Sequence, residues 1–432
     1  MLRPDRLKRV LNALRMTIQE SFRSQDESAA SVAIDVTLTE LLLEIESAED
    51  GDNFTQHAAL VLQTFEEIGL PDAQPDVMGQ ITQGIGKTYE RLGDTSNAYD
   101  AYTRALEFAT SAHDDGLAAG CRRRMGRVMT KTADLETAEQ HLLEGRDLYE
   151  RVGDKLGAAQ TLCDIGSLHY QRGQIAEADG RYTEALAIAE ELDATSLIIN
   201  LRNNLGVLAN IRGDIDGAIG HYEQCVTLAE AAGNEPLLAQ AYHNLGMAHA
   251  DKQDWAGANE MYEQALELAR KKGLGQLIGT TYLNKAELYL ALSDVSQAAA
   301  TCGKALSVFK TSGDKLSEAE AYRVLGDIFA RRGSGSSALK MLDQSLEMTK
   351  LANAPLEIAE AYRAKGLVCE RLGQNDTAAE AFGEAITHFD TCDATQDKAA
   401  TEQDLAPAPI IGQMRGREQH VRRYLPYLMK LS

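Results

Sequence analysis

The sequence is poor in residues that break helices and in cysteine patterns that hold small folds together. It has 8 prolines, 1 tryptophan and 6 cysteines among 432 residues, and no two cysteines form a CxxC pair. Scattered thiols in a long chain argue against a disulfide framework, and zinc sites need clustered ligands. We therefore predict that the cysteines fill space between helices, and we expect neither a metal nor another cofactor.

Long apolar runs and an excess of positive charge are also missing. No stretch approaches the roughly 20 apolar residues that span a bilayer, and the N-terminus lacks the apolar core of a secretory signal. These absences predict a soluble, cytoplasmic protein without membrane insertion. The 65 Asp and Glu residues outnumber the 43 Lys and Arg, which gives a net charge of −22. Such a chain repels phosphate backbones, so we predict that nucleic acid is not a partner.

An internal repeat of 40 residues dominates what is present. Small residues mark it at Gly86, Gly126, Gly166, Gly206, Gly246, Ala286, Gly326 and Gly366. An alanine follows each of them 12 positions later, from Ala98 to Ala378, and a bulkier residue 16 positions later, from Tyr102 to Phe382. Repeats of this length indicate a stack of similar supersecondary units.

Turn signals divide each repeat into two helices. Pairs such as Gly93-Asp94 and Gly213-Asp214 end one helix and provide an N-cap for the next, and a second turn such as Gly153-Asp154 separates consecutive repeats. Each repeat is therefore predicted to be a helical hairpin. The small residue lets the second helix approach closely, and stacked hairpins share one continuous core.

The segment from Ala241 to Ala269, AYHNLGMAHADKQDWAGANEMYEQALELA, resembles a tetratricopeptide repeat. The usual unit has 34 residues, so the longer period resembles the subgroup of Pins- and LGN-type adaptors, kinesin light chains and bacterial Rap-type regulators. This resemblance implies an all-α fold, a right-handed α-solenoid of about nine helical hairpins. It also implies that the first helix of each hairpin lines a concave groove that holds a partner segment.

Four regions are predicted along the chain. Residues 1–30 carry an amphipathic stripe and are predicted to form a capping helix, with a partner-binding arm or a targeting segment as alternatives. Residues 31–392 are predicted to form the solenoid, with a degenerate first repeat followed by eight 40-residue repeats. Residues 393–409 are interpreted as a linker, and residues 410–432, with five basic side chains and one acidic, as a basic helix that fills the groove, contacts another copy or binds a larger assembly.

No catalytic signature is present, so we predict that the protein is not an enzyme. The segment Gln83 to Thr88 resembles a phosphate-binding loop, but the motif requires glycine at position 81, where Ile81 stands. The segment also lies in the helical register of the repeat.

A basic stripe on one first helix is the first predicted binding site. It comprises Arg123, Arg124, Arg127 and Lys131, at spacings that place three of the four on one helix face. Inside an acidic protein, such a stripe favours a carboxylate-rich or phosphorylated partner segment. The alternative is internal pairing with Glu90 or Asp164 of the neighbouring repeats.

Asparagines form the second predicted site. Asn204, Asn244 and Asn284 stand two positions before the small residue in three successive repeats, with Asn200 and Asn203 beside the first. An amide both donates and accepts, so such a ladder suits a peptide backbone, and the family resemblance implies peptide contact here. The alternative is bridging between adjacent helices. His243, Arg323 and Arg363 are further candidates on the same inferred face, whereas Tyr242, Tyr282, Tyr322 and Tyr362 are predicted to lie in the core.

The sequence thus predicts a non-enzymatic scaffold or adaptor that binds a segment of a partner protein in a groove within a larger complex. One alternative is a regulatory sensor that responds to a peptide or a small ligand. Another is a structural subunit of a large assembly that uses its outer face and its termini, with self-association through those termini.

Overall fold

The structure is a computed structural model that describes residue 16 and residues 75–91, 93–391 and 395–405. The described residues form helices joined by short turns, with no β-strand among them. The helices are α1 Pro75–Arg91, α2 Thr95–Ala112, α3 Asp115–Lys131, α4 Leu135–Val152, α5 Lys155–Gln171, α6 Ile175–Glu191, α7 Thr195–Ile211, α8 Ile215–Ala231, α9 Glu235–Asp251, α10 Trp255–Lys272, α11 Gly275–Ala291, α12 Val295–Ser312, α13 Lys315–Arg331, α14 Gly335–Leu351, α15 Pro355–Arg371, α16 Asn375–Thr391 and α17 Thr395–Leu405. None of these helices is long and apolar enough to cross a membrane.

The helices belong to two compact units whose boundary falls inside α7, between Leu205 and Gly206. In the first unit, α1 packs against α2, α3 against α4 and α5 against α6. In the second, α9 packs against α10, α11 against α12, α13 against α14 and α15 against α16. Within each unit the first helices of successive hairpins also contact one another, as α3 contacts α5 and α11 contacts α13. The predicted all-α stack of helical hairpins is confirmed.

Aspartates begin many of the helices, as the turn signals predict. The side chain of Asp94 accepts a hydrogen bond from the backbone N–H of Asn97 at 3.1 Å, and Asp254 accepts one from Gly257 at 3.0 Å. The residue before the cap has a positive φ, as in Gly213 at 80°. Glycine adopts this conformation at little cost, so the turns of the repeat are encoded locally.

In the seven repeats whose small residue is glycine, that glycine lies against the bulky residue of its own hairpin. A Cβ atom added to Gly166 would lie 2.6 Å from Cε1 of Tyr182, and the same contact joins Gly206 to Tyr222. Both tyrosines are fully buried. Glycine therefore fixes how closely the two helices of a hairpin approach each other.

A second set of tyrosines differs from the prediction. Tyr242, Tyr282, Tyr322 and Tyr362 are half-buried rather than fully buried, although Tyr282 and Tyr362 pack against clusters of core residues. Each lies 12 positions after a polar or charged residue of the preceding helix, and Tyr242 donates its hydroxyl hydrogen bond to Glu230 Oε1 at 2.9 Å. The Nζ atom of Lys350 lies 4.8 Å from the ring centre of Tyr362. These rings keep one edge near solvent because their hydroxyl groups and faces contact charged side chains.

The C-terminal part of the repeat also extends further than predicted. Helix α17 occupies residues that we interpreted as a linker, and it packs against α16. Asp404 of α17 accepts a hydrogen bond from Arg363 Nε at 2.9 Å across 41 residues. The predicted capping helix at 1–30, the degenerate first repeat and the basic helix at 410–432 lie outside the described residues, apart from Met16, which is exposed.

The glycine contact predicts a difference between two substitutions in the first unit. Gly166→Val should destabilise the fold by about 1–3 kcal/mol, because its side chain would overlap the Tyr182 ring. Gly180→Ala is the matched control: Gly180 is exposed on α6, with no neighbouring atom within 4 Å of an added Cβ, and alanine should stabilise the helix by up to about 1 kcal/mol. Urea unfolding followed by helical circular dichroism measures both changes. An unchanged midpoint for Gly166→Val would contradict the packing argument.

Candidate binding face

The inner row of each hairpin comprises the first-helix residues that lie six, three and two positions before the small residue and one and five positions after it. Its side chains repeatedly contact the inner row of the next first helix at a separation of 41 residues. Arg123 contacts Asp164, His243 contacts Asn284 and Arg363 contacts Asp404 in this way. These predicted site residues therefore direct polar groups to a neighbouring repeat rather than to solvent.

Three members of the basic stripe surround one carboxylate, Glu90 of α1. Arg124, Arg127 and Lys131 place a nitrogen atom 3.4, 3.3 and 3.2 Å from its oxygen atoms, and the hydroxyl of Tyr102 donates to it at 2.8 Å. Burial alone would raise the pKa of Glu90, but the charges of Arg127, Lys131 and Arg124 and the Tyr102 hydrogen bond lower it to about 2. We call Glu90 and its three cations the Glu90 cluster.

The fourth member, Arg123, is held by α5. Its Nε donates to Asp164 Oδ2 at 2.5 Å and its Nη1 donates to Gln160 Oε1 at 2.6 Å. Burial opposes the charge of Arg123, but the Asp164 carboxylate outweighs it and raises the pKa of the guanidinium. The basic stripe thus forms the internal ion pairs that were the alternative to partner binding. In the Glu90 cluster, however, one carboxylate faces three cations.

Asn204 and Asp164 each have a buried oxygen atom without a hydrogen-bond partner among the described residues. Asn204 Nδ2 lies 3.8 Å from the sulfur of Cys163, which is a weak contact, and Asn204 Oδ1 accepts no hydrogen bond from the described part of the chain. The same holds for Asp164 Oδ1, although its Oδ2 is bonded to Arg123. Both residues are 3% exposed. Asn203 is also buried, and Asn200 is half-buried.

The matching positions of the second unit are satisfied internally. The hydroxyl of Thr281 donates to the Leu277 carbonyl at 2.6 Å, so it accepts from His243 Nδ1 at 2.8 Å. His243 Nε2 is then left to accept from Asn284 Nδ2 at 3.3 Å. Burial lowers the pKa of His243 to about 3, which fits a neutral ring.

His243 therefore corrects the sequence prediction, since both of its ring nitrogens are used between helices and the residue is fully buried. Asn244 is fully buried as well, and its Oδ1 accepts from Gln240 at 3.1 Å. Asn284 thus bridges two first helices, which is the alternative that the sequence left open, whereas the bond between Gln240 and Asn244 lies within α9.

The remaining arginine candidates pair with carboxylates. Arg323 donates from Nε to Glu320 at 3.0 Å, and its Nη2 lies 3.6 Å from Glu287. Arg363 bonds to Asp404 through Nε and Nη2. The sequence analysis missed Gln160, Glu287, Glu320 and Asp404 as partners of these arginines. The 41-residue separation that joins Arg123 to Asp164 would have identified Asp404, because the same separation joins Arg363 to it.

The described residues include no group of three or more side chains that could hold a metal ion. Their five cysteines are buried free thiols, as predicted, and burial raises the pKa of Cys163 to about 12.

The sequence matches two family models, both described as tetratricopeptide repeat, over residues 83–111 and over 119–191, 197–271 and 277–351. These matches cover more than half of the chain, so the protein belongs to the tetratricopeptide repeat family. The narrower resemblance to the subgroup with longer repeats stays a prediction. No curated protein matches the chain by sequence.

Several solved structures share the fold. A Rap protein complexed with competence and sporulation factor has 15% identity and a TM-score of 0.57, over 81% of this chain and 99% of that one. The Rap conjugation gene regulator of plasmid pLS20, in complex with a Phr peptide, has 15% identity and a TM-score of 0.54, over 82% and 97%. Aspartyl phosphate phosphatase F from Bacillus subtilis has 11% identity and a TM-score of 0.55, over 81% and 92%. At these identities the likeness shows the fold alone.

The Glu90 cluster predicts a pH-dependent stability. The folded-state pKa of Glu90 is lowered from 4.5 to about 2, so its contribution is fully present above pH 4.5 and is lost as the pH falls towards 2. Glu90→Gln removes this titration and leaves three cations without their carboxylate. The variant should lose on the order of 2 kcal/mol at pH 7 and show a flatter stability profile between pH 4.5 and pH 2.

Urea midpoints measured across that pH range test the Glu90 prediction. Glu107→Gln is the control, because Glu107 is exposed on α2 and makes no ion pair within the described residues. If the Glu90 variant kept the slope of the unchanged protein in this pH range, the assigned role of the cluster would be wrong.

Proposed function

We propose that the chain is a non-enzymatic scaffold that binds an extended segment of a partner protein along the inner row of its first unit, as an adaptor within a larger complex. Membership of the tetratricopeptide repeat family supports this function, because stacked helical hairpins offer extended binding surfaces. The observation that carries the proposal is the pair of unpartnered oxygen atoms on Asp164 and Asn204.

A buried acceptor without a donor costs about 1–3 kcal/mol. Asp164 Oδ1 and Asn204 Oδ1 stand at the same position of consecutive repeats, so the cost occurs twice in one row. Both oxygen atoms are buried, so the neighbouring side chains have to move before a ligand can bring N–H groups to them and recover this energy. Peptide backbone supplies such donors irrespective of its sequence, and half-buried Asn200 provides a further amide beside them.

The spacing of the two acceptors fits an extended peptide. Packed neighbouring helices lie about 8–10 Å apart, and a polyproline II segment advances about 3.1 Å per residue and points every third N–H group the same way, because it has three residues per turn. One repeat therefore corresponds to about three residues of bound segment. Asp164 and Asn204 would accept hydrogen bonds from backbone N–H groups three residues apart, which gives the partner a fixed register without requiring particular side chains.

The charge of the same unit favours an acidic or phosphorylated segment. The Glu90 cluster has three cations and one carboxylate, and Arg127 Nε is buried without a hydrogen-bond partner among the described residues. The side chains of Arg124 and Lys131 are 27% and 30% exposed. In the second unit we assign Asn284, Arg323 and Arg363 to holding neighbouring helices together, and buried Asn244 to the interior, so that these residues shape the row rather than bind the partner.

A second candidate function is that of a peptide-responsive regulator. Two of the similar structures are Rap proteins in complex with a peptide or a signalling factor, and the likeness extends over nearly all of each. X-ray scattering distinguishes the two candidates once a binding peptide is in hand. A regulator changes its scattering profile when the peptide binds, whereas a scaffold with a preformed row keeps its profile.

Loss of Asn204 should weaken binding without weakening the fold. Peptides selected from a randomised library displayed on phage would be measured by fluorescence anisotropy against the unchanged chain and against Asn204→Ala. Because Oδ1 has no partner and Nδ2 makes only a 3.8 Å contact with sulfur, the variant should keep its urea midpoint. It should bind selected peptides about tenfold more weakly, the effect of one lost hydrogen bond of about 1.4 kcal/mol.

Gln224→Ala is the matched control, since Gln224 is an exposed amide on the second helix α8. It should leave peptide affinity unchanged. Equal affinities for all three proteins, or failure to select any peptide, would reject the inner row as the binding site.

A further inference from the structure

A polar cleft of about 350 Å³ opens on the inner side of the first unit. It lies where α1, α3 and α5 come together near the end of α4, and its lining includes Gln83, Lys87, Gly120, Arg124 and Tyr149. Arg123 and Gln160 complete the wall on the side of α5. The lining thus combines two guanidinium groups, an ammonium group, amides, a phenol and the carboxylate of Asp154.

Gly120 keeps the cleft open. It stands six positions before the small residue, where the neighbouring hairpins carry the longer side chains of Gln80, Gln160 and Asn200. A Cβ added at Gly120 would lie 2.9 Å from Gln83 Nε2 and 3.4 Å from the hydroxyl oxygen of Tyr149. A larger residue at this position would therefore project into the cleft, whereas glycine leaves room for a ligand group.

The cleft contains donors that the described part of the chain does not satisfy. Arg123 uses Nε and Nη1 on Asp164 and Gln160, and its Nη2 makes no hydrogen bond with a described residue. The hydroxyl of Tyr149 likewise has no acceptor among the described residues. Burial raises the pKa of Tyr149, so the hydroxyl keeps its proton and remains a donor. Both groups call for an acceptor from outside the chain.

The charges of this region also favour an anion. The cations of the cleft and the adjoining Glu90 cluster are Lys87, Arg123, Arg124, Arg127 and Lys131. The carboxylates are Glu90, Asp154 and Asp164. Cations thus outnumber carboxylates in this region of an acidic protein. Guanidinium groups bind planar or tetrahedral oxyanions through charge-assisted hydrogen bonds that are shorter and stronger than neutral ones.

We propose that this cleft is an oxyanion site that binds one carboxylate or phosphate group, with Arg123, Arg124 and Tyr149 as its donors. This assignment rests on the proposed function: the carboxylate or phosphate group belongs to a side chain of the bound segment. The cleft would therefore select an acidic or phosphorylated residue at one position of that segment. The backbone contacts at Asp164 and Asn204 would fix the register in which that residue reaches the cleft.

Filling the cleft without changing its charge tests the proposal. Gly120→Gln introduces the side chain that the next hairpin carries at the same position, and its Cβ would meet the flexible end of Gln83 and lie 3.4 Å from the Tyr149 hydroxyl. Thr280→Gln makes the corresponding change on α11 in the second unit and serves as the control. Inorganic phosphate is the probe, titrated against the unfolding temperature at constant ionic strength, with sodium chloride as the reference salt.

Phosphate should raise the unfolding temperature of the unchanged chain and of Thr280→Gln above that in chloride. Gly120→Gln should bind phosphate at least roughly tenfold more weakly, since the ligand would lose its space. Lys87→Gln, which keeps the space but removes a charge, should also weaken binding and remains informative if Gly120→Gln folds poorly. A phosphate effect that is absent from the unchanged chain, or equal in Gly120→Gln, overturns the proposal.

The same titration with acetate in place of phosphate tests whether the site binds a carboxylate group. A rise in the unfolding temperature with either anion that is absent in Gly120→Gln supports the site. This readout needs no partner, so its failure is separate from failure of the scaffold function. If phosphate binds but the selected peptides bind Gly120→Gln as tightly as the unchanged chain, the oxyanion site stands and its assignment to the bound segment is wrong.

Discussion

The close approach of two helices at each small residue is the constraint on which the rest of the structure depends. Gly166 against Tyr182 and Gly206 against Tyr222 leave no space for a Cβ atom. Because the contact recurs every 40 residues, each hairpin has the same internal geometry. Successive first helices then present equivalent positions to each other, and a side chain on one finds its partner 41 residues later.

This fixed register makes neighbouring repeats compete with a ligand for the same polar groups. Arg123, Arg363 and His243 all carry groups that could bind a partner, yet each is already bonded to the next first helix. A charged side chain that is already paired is less available to a ligand, because breaking a buried ion pair leaves its partner unpaired. A binding surface can persist only where the inner row has more donors or acceptors than the adjoining helices satisfy.

Periodicity was sufficient to predict the hairpins, their turns and the residues that pack them, because Gly and Ala spacings, Asp caps and bulky partners act locally. The environment of inward polar side chains was harder to predict. Whether Arg123 faces a ligand or Asp164 depends on side-chain reach and rotamer, which a residue pattern does not encode. Tyr242 was assigned to the core because its position is aromatic in four repeats, but its hydroxyl pairs with Glu230. Helix α17 was missed because its polar, alanine-rich composition resembles that of a linker.

The contrast between Asn204 and Asn284 shows how one repeated position can serve two purposes. Asn284 bonds to His243, a ring that Thr281 holds in the complementary tautomer. At the equivalent place Asn204 Nδ2 faces the sulfur of Cys163, which is a poor acceptor, and Asn204 Oδ1 has no partner among the described residues. At both places the residue 41 positions earlier contacts the amide nitrogen, so histidine in one hairpin gives a structural bridge and cysteine in another gives only a weak contact. The amide itself is the same in both, so the strength of this contact between helices is decided by the residue 41 positions before it.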